Sequence, residues 1–418
     1  VYPPIPTKLV DIQGGLGTID IGGGKYPVNL YFTDSAGAGD YVLVQMGFAI
    51  RAISKEHINN KHSSTIIELR SNIETLLAGD IFTVLLSSGT QAKNLLQNNT
   101  RYILPHNLHF VYGPGCPMCL TPVGYYRDIL HLAKQKSILI VTFSDFLHIP
   151  TPGGTLNSLR KNGQDIRMVH SPYDVLRIAE WNPTKEVVFA AAGYDTTAAI
   201  IGVTLKEAKN RGIENLSFYL SLQKRDTHIS EFILRSRQYI DGVVLSAYDT
   251  SVSGTDMYSH ILGDLRRACC CAGFSAEDVL TGIVNLIHKA KSEDFTMSFG
   301  DGCGCPDSVN TRLRSVIEEV FITADGRWVS GDLLKKSQYI LSEEYRQYDA
   351  VQKFDLLSND ELVMSGCDGQ AVHSGTKLPF ECSKFGTLCQ PQSPVGAGMV
   401  SSEGLCQTWY NSLHTHTY

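Results

Sequence analysis

A chain of 418 residues, 43% of them apolar, is long enough for two to four domains with cores of their own. Its net charge of −6, without any stripe of Lys and Arg interleaved with aromatics, argues against nucleic acid as a partner. No apolar run approaches the roughly 18 residues of a spanning helix, and eleven cysteines, clustered and odd in number, suit metal and redox chemistry in a reducing, cytoplasmic setting better than a disulfide framework.

Residues 1 to about 55 read as a small all-β unit. Runs at 8–12, 16–21, 25–31 and 41–44 alternate or are β-branched, and Gly14-Gly15, Gly22-Gly23-Gly24 and Gly37-Ala38-Gly39-Asp40 supply the turns. A five-stranded barrel is the economical closure for so short a sheet, because closing it removes exposed edges. We expect this unit to dock on the rest of the chain through its apolar surface. The polar stretch 54–64 reads as a linker.

From about 65 to 290 the period changes. Strands are predicted at 81–86, 108–112, 138–143, 166–169, 187–191, 216–220 and 242–246, and helices at 123–134, 173–181 and 197–211. Strand followed by helix, repeated this often, predicts an α/β fold with parallel sheets covered on both faces. The length suggests two lobes, 65–160 and 161–300, divided near 155–165 or else after Asn182-Pro183, before a last domain over 301–418. Ligands in such sheets gather at the carboxyl ends of strands.

Three strand ends stand out. Gly113-Pro114-Gly115-Cys116-Pro117-Met118-Cys119 places a Cys-x-x-Cys after a strand and at the head of a helix, where a thiolate is favoured and Cys116 and Cys119 can close a disulfide reversibly. Half of a zinc site is the other reading, although no second Cys-x-x-Cys completes it. Ser144-Asp145 after a strand is a turn or cap former as readily as a catalytic acid. Asp195, in Gly193-Tyr194-Asp195-Thr196-Thr197, is a candidate catalytic acid or the cap of the helix that follows. Further on, Cys269, Cys270 and Cys271 read as packing, since adjacent residues on a strand cannot face one metal. Cys303 and Cys305 sit in a glycine-rich run able to offer both sulfurs to one ion, or to be an ordinary loop.

Four cysteines close the chain: Cys367, Cys382, Cys389 and Cys406, spaced 15, 7 and 17 residues apart among Gly386, Pro391, Pro394, Gly396, Gly398 and Gly404. Four soft thiolates in a Gly- and Pro-rich wrapping suit a 4Fe–4S cluster. Zinc comes second, because zinc-ribbon pairs are closer in sequence, and four buried free thiols are the bland alternative.

The strings just quoted, with Ser171-Pro172-Tyr173-Asp174 and Met399-Val400-Ser401-Ser402-Glu403-Gly404-Leu405-Cys406, make residues 65–418 resemble HypD, the NiFe-hydrogenase maturation factor family. Residues 1–55 resemble HypC, its small barrel partner, through Ile5-Pro6, Val28-Asn29-Leu30 and Gly39-Asp40-Tyr41-Val42-Leu43-Val44. The resemblance implies a HypC–HypD fusion with two α/β lobes and a 4Fe–4S domain. It carries the cluster ligands to Cys367, Cys382, Cys389 and Cys406, and a redox pair thought to relay electrons to Cys116 and Cys119. It further implies protein partners among hydrogenase maturation factors or a hydrogenase-like subunit, and a scaffold on which an Fe(CN)2CO group is assembled. Here the chain departs from the family. Anchored on Ile5-Pro6, Tyr2 stands where HypC proteins hold the iron with cysteine. Anchored on Pro105 and Gly113-Pro114-Gly115, Ser88-Gly89-Thr90-Gln91-Ala92-Lys93 stands where HypD proteins have Cys-Gly-Gly-His-Thr-His, and Ser246-Ala247-Tyr248-Asp249-Thr250 replaces Pro-Gly-His-Val-Ser. A hydroxyl or phenol is no soft anionic donor, so Fe(CN)2CO is not expected on those residues, and Cys303 and Cys305 are the spare thiols for an altered site. Two functions therefore stand at this stage: a maturation scaffold with altered ligands, and a divergent cluster and dithiol redox or docking protein.

Overall fold

The computed structural model describes residues 5–21, 24–33, 35–53, 65–96, 103–247, 249–250, 254–299, 310–327, 331–356 and 366–414. The strands β1 (Ile5–Gln13), β2 (Leu16–Ile21), β3 (Gly24–Asn29), β4 (Tyr41–Gln45) and β5 (Phe48–Ile53) close into a barrel in the order β1-β2-β3-β5-β4. Alternation decides its inside. Thr7 and Leu9 point inward while Lys8 and Val10 are exposed, and Leu9, Ile19, Val28 and Val42 fill the interior. A Cβ on Gly17 would come within 2.5 Å of Leu9 Cδ2, so that face has no spare room.

Beyond the barrel, β6 (Phe82–Leu86), β7 (Leu108–Tyr112), β8 (Ile138–Thr142), β9 (Ile166–Met168), β10 (Glu186–Gly193), β11 (Leu216–Gln223), β12 (Gly242–Ser246), β13 (Ala268–Ala272), β14 (Met297–Phe299), β15 (Phe321–Arg327) and β16 (Leu333–Leu341) form two sheets. One is ordered β14-β13-β12-β6-β7, all parallel. The other is ordered β15-β16-β11-β10-β8-β9, parallel except for its antiparallel β16 and β15 edge. The strands β6, β8, β12 and β13 are buried at every position, as expected where helices cover both faces. Thr65 and Ser275 each close a capping box on a helix, Ile66–Leu77 and Ala276–Lys291, whose apolar faces lie in one core with β6 and β13.

The sheets do not follow the division expected near residue 160. The strands β6 and β7 join β12–β14, across the whole of β8–β11, and β15–β16 from the last third of the chain extend the second sheet. Parallel neighbours need a long crossover, and nothing in local pattern says whether that crossover stays in one lobe or builds the other.

The barrel sits on the second sheet. Its Phe32, Met46, Phe48 and Ile50 share a core with the lobe, Phe48 meets Tyr173 edge-on at 5.9 Å, and Asn310 Nδ2 donates to the carbonyls of Phe32 (3.4 Å) and Ile50 (3.1 Å). Gly47, at φ +80°, lets the barrel close on Ser171: a Cβ there would lie 3.1 Å from the serine side chain. Among the described residues no helix is long and apolar enough to cross a membrane.

Candidate functional site

The end of β7 runs into Gly113-Pro114-Gly115, and the chain can turn so sharply only because side chains are absent there. A Cβ on Gly113 would strike the Phe232 ring at 2.3 Å, and Gly115 has φ +106°. Cys116 is then the N-cap of a single helical turn, Pro117–Leu120, and its Sγ lies 2.7 Å from that of Cys119. The predicted helix head is thus one turn long, and local hydrogen bonds do most of the electrostatic work. Burial alone would push the Cys116 thiol up, but hydrogen bonds from Cys119 and from the Ser401 hydroxyl bring it below its ordinary value. Cys119 is driven well above its ordinary value by burial and by facing Cys116. Of the two, Cys116 is the more acidic thiol and Cys119 the less acidic. The turn is fixed from outside: Tyr194 Oη donates to the Gly115 carbonyl (2.8 Å) and Tyr126 Oη to that of Met118 (2.8 Å).

The C-terminal cysteines lie beside this turn. Cys367 precedes the short helix Gly369–His373, Cys382 and Cys389 bracket a tight turn closed by Cys389 N to Lys384 O (2.8 Å), and Cys406 opens the helix Leu405–His414. Cys367, Cys389 and Cys406 line one cavity together with Cys119, Tyr126 and His373. Cys382 stands outside that wall, its thiol hydrogen-bonded to Asp368. Backbone N–H groups of Gly369 and Val395 point at Cys367 Sγ (3.3 Å) and Cys389 Sγ (3.4 Å).

Three observations test whether these residues fit a cluster. The space exists because side chains are missing: a Cβ on Gly396 would fall 2.4 Å from Cys367 Sγ, and one on Gly398 3.3 Å from Cys406 Sγ. Burial raises the Cys406 and Cys367 thiols, so holding them as anions takes a cation beside them, a role that iron would fill. Among the described residues no three His, Cys, Asp or Glu side chains converge on a point that would hold a single ion. A 4Fe–4S cluster is held by four Cys thiolates, three of which share this cavity wall while Cys382 stands outside it. The soft thiol donor set is of the kind a cluster takes.

The other singled-out residues are distributed elsewhere. Asp195 is the first residue of the helix Asp195–Asn210, with Tyr194 at the cap position, so neither Asp nor Thr caps it. Its Oδ1 accepts from Tyr339 Oη (2.6 Å) and its Oδ2 from Arg225 N (3.3 Å). Burial and then the Asp226 charge push its carboxyl up to about 6. Asp195, just after β10, is tied to β16 and to the start of the helix Arg225–Arg235, and does not line the cysteine cavity. Asp145 lies in the 3-10 turn Ser144–His148, likewise off that cavity. Ser88 is buried at the end of β6, Thr90 Oγ1 donates to Glu403 Oε1 (2.5 Å), and Gln91 Nε2 reaches the carbonyls of Leu245, Ala272 and Gly273. Beside them the Arg225 guanidinium donates to Ser87 O (3.0 Å), pairs with Asp249 (3.3 Å) and lies over the Tyr194 ring. The run aligned with the family's iron-binding motif thus carries hydroxyls, an amide and a neighbouring cation, with no thiolate. Cys269, Cys270 and Cys271 lie on β13, fully buried, with Cys270 in one core and its two neighbours in another. Tyr2, Tyr248, Cys303 and Cys305 fall outside the described residues. Ser401, Arg225, Tyr194 and His373 were missed from sequence because no spacing ties them to the cysteines, although Tyr194 stands beside Asp195 and Ser401 lies five residues before Cys406.

Comparison with known proteins identifies relatives of this chain. Residues 64–412 match the profile of HypD, described as the hydrogenase formation hypA family, and residues 4–63 match the HupF/HypC family. The chain is 31% identical over 314 residues to the hydrogenase maturation factor HypD of Escherichia coli, covering 74% of this chain and 83% of that protein. It is 32% identical over 318 residues to HypD of Cupriavidus necator, covering 74% and 84%. It is 29% identical over 322 residues to a putative hydrogenase expression/formation protein of Methanocaldococcus jannaschii, covering 77% and 89%.

Proposed function

The chain belongs to the HypD family and carries a HupF/HypC domain at its N-terminal side, and on that premise we propose that it is an iron–sulfur redox protein of hydrogenase maturation. A 4Fe–4S cluster would be held by Cys367, Cys389 and Cys406 from the cavity wall and by Cys382 from outside it. One observation carries this reading: Cys119 belongs both to the 2.7 Å dithiol and to the wall of the cysteine cavity. Such a cluster would supply electrons singly, and the pair takes up two electrons and one proton in passing from disulfide to a thiolate and a thiol. Cys116, with its depressed thiol, is the sulfur that leaves or attacks as thiolate. Cys119, with its raised thiol, is the one that takes and holds the proton. Ser401 steadies the Cys116 anion, and Tyr194 and Tyr126 keep the turn still. Its partners are proteins of the maturation machinery.

Whether this chain also carries the Fe(CN)2CO group is a separate matter. Family membership favours the scaffold role, and the donors around Ser88 argue against it, since Thr90, Gln91 and Arg225 offer that metal nothing soft and anionic. We infer a divergent member that retains electron delivery. Protein made anaerobically should hold about four irons with matching sulfide, lost on substitution of the C-terminal cysteines, and reducing the cluster should open the Cys116–Cys119 disulfide to alkylation. Inert thiols in both states would end the relay reading. Cyanide and carbonyl bands in the infrared, lost on replacing Cys303 and Cys305 by serine, would establish the scaffold role instead.

A further inference from the structure

His373 has no counterpart in the chemistry assigned so far, and it rests on the cluster reading just given. It is 3% exposed and ends the short helix that starts two residues after Cys367. Its ring stands between the two redox elements. On one edge, Nδ1 is so near the backbone of Gly115 that a Cβ there would come within 2.8 Å of it. On the other edge, Nε2 and Cys406 Sγ lie 3.1 and 3.3 Å from one common point, the place a Cβ on Gly398 would take. A Cβ on Gly369 would likewise lie 3.2 Å from Cys367 Sγ and 3.9 Å from His373 Nε2. The Nε2 edge therefore looks into the space between Cys367 and Cys406, and the residue lines their cavity. Two glycines, Gly398 and Gly369, keep the path from imidazole to sulfur open, and a third, Gly115, lets the ring sit against the dithiol turn.

We propose that His373 contacts the bound cluster through Nε2, donating a hydrogen bond to its sulfur, and so sets the cluster's reduction potential while holding it in register with the turn that bears Cys116 and Cys119. A neutral imidazole has one N–H; the Pro114 carbonyl competes for it at the edge beside Gly115, and donation to the cluster requires the tautomer that carries it on Nε2. Hydrogen bonds to cluster sulfurs favour the reduced, more negative state and raise the potential. His373 is thus a positioning residue and gives up no proton or electron of its own. The alternative, a histidine serving only to fill the core, requires nothing of the cavity side of the ring and leaves the potential where it is.

The experiment uses the full chain purified anaerobically with its cluster. His373→Ala should lower the reduced fraction at a fixed potential about tenfold, equivalent to 59 mV for one electron, and His373→Gln, which keeps an N–H, should recover most of that shift. Protein grown with 15N-histidine should show a nitrogen coupling in pulsed EPR of the reduced cluster, and His373→Ala should abolish it. A wild-type spectrum without histidine coupling, or a reduced fraction in His373→Ala within twofold of wild type, overturns the proposal. Should His373→Ala fail to fold, the labelled wild type and His373→Gln still decide. A preparation free of iron and sulfide removes the cluster reading itself, and this proposal with it, an outcome distinct from an unchanged potential on an intact cluster.

Discussion

Gly396→Ala is the sharpest test of the cysteine cavity, because the backbone at that position has nothing to lose. Gly396 has φ −143° and ψ 165°, extended geometry that any residue adopts, so its need for glycine is steric alone. The new Cβ would sit 2.4 Å from Cys367 Sγ, which would have to retreat about 1 Å to reach ordinary contact at 3.4 Å. Overpacking of this kind costs about 1–3 kcal/mol. If that falls on the loaded state, where Cys367 is held as a ligand, cluster affinity drops about 5- to 150-fold. The assay is loss of visible absorbance and iron under chelator challenge, run beside thermal unfolding of the cluster-free protein. Gly263→Ala, a position with nothing within 4 Å and no unusual φ, is the control and should behave as wild type. If Gly396→Ala retains its cluster as long as wild type does, Cys367 is not a ligand at that place and the cavity has been misread.

In the reduced protein the pH midpoint for alkylation of Cys116 should lie below that of Cys119, since its thiol lies lower even though it is the more buried; the reverse order of midpoints by peptide mass analysis would contradict the assigned roles. Asp195 should make stability fall as pH rises: its carboxyl is raised to about 6 in the fold against about 3.9 unfolded, so the folded state binds the extra proton, and this contribution is full below pH ~4 and lost through pH ~6. Denaturation midpoints of Asp195→Asn should lack that slope, and parallel slopes in the two proteins would refute the assignment. Phe48→Ala, at a fully buried barrel residue packed against Tyr173, should destabilise by about 3–5 kcal/mol. After proteolysis within 54–64 it should release a barrel that wild type retains on gel filtration, and retention in both would refute the shared core.

Much of this molecule was legible locally. Alternation at 16–21 and 41–44 and glycines between them were enough for a closed barrel, and apolar runs followed by helices were enough for parallel sheets, because each pattern reports a face buried within a few residues. The cysteines 367, 382, 389 and 406 and the pair 116 and 119 could be named for the same reason: thiol chemistry is written in residue type and spacing. What sequence could not order was the pairing of distant segments. That β6 and β7 close a sheet with β12–β14 rather than with β8 depends on which crossover packs better, a balance of burial over hundreds of residues with no local signature. The same holds for the site. Cys119 meets the cavity of Cys367, Cys389 and Cys406, Ser401 reaches Cys116, and His373 slides between them through gaps left by Gly115, Gly369 and Gly398. The residue types were fixed by the chain alone. Their meeting was decided by tertiary packing, since contact across so long a sequence separation is set by how the sheets and the C-terminal loops fill space together.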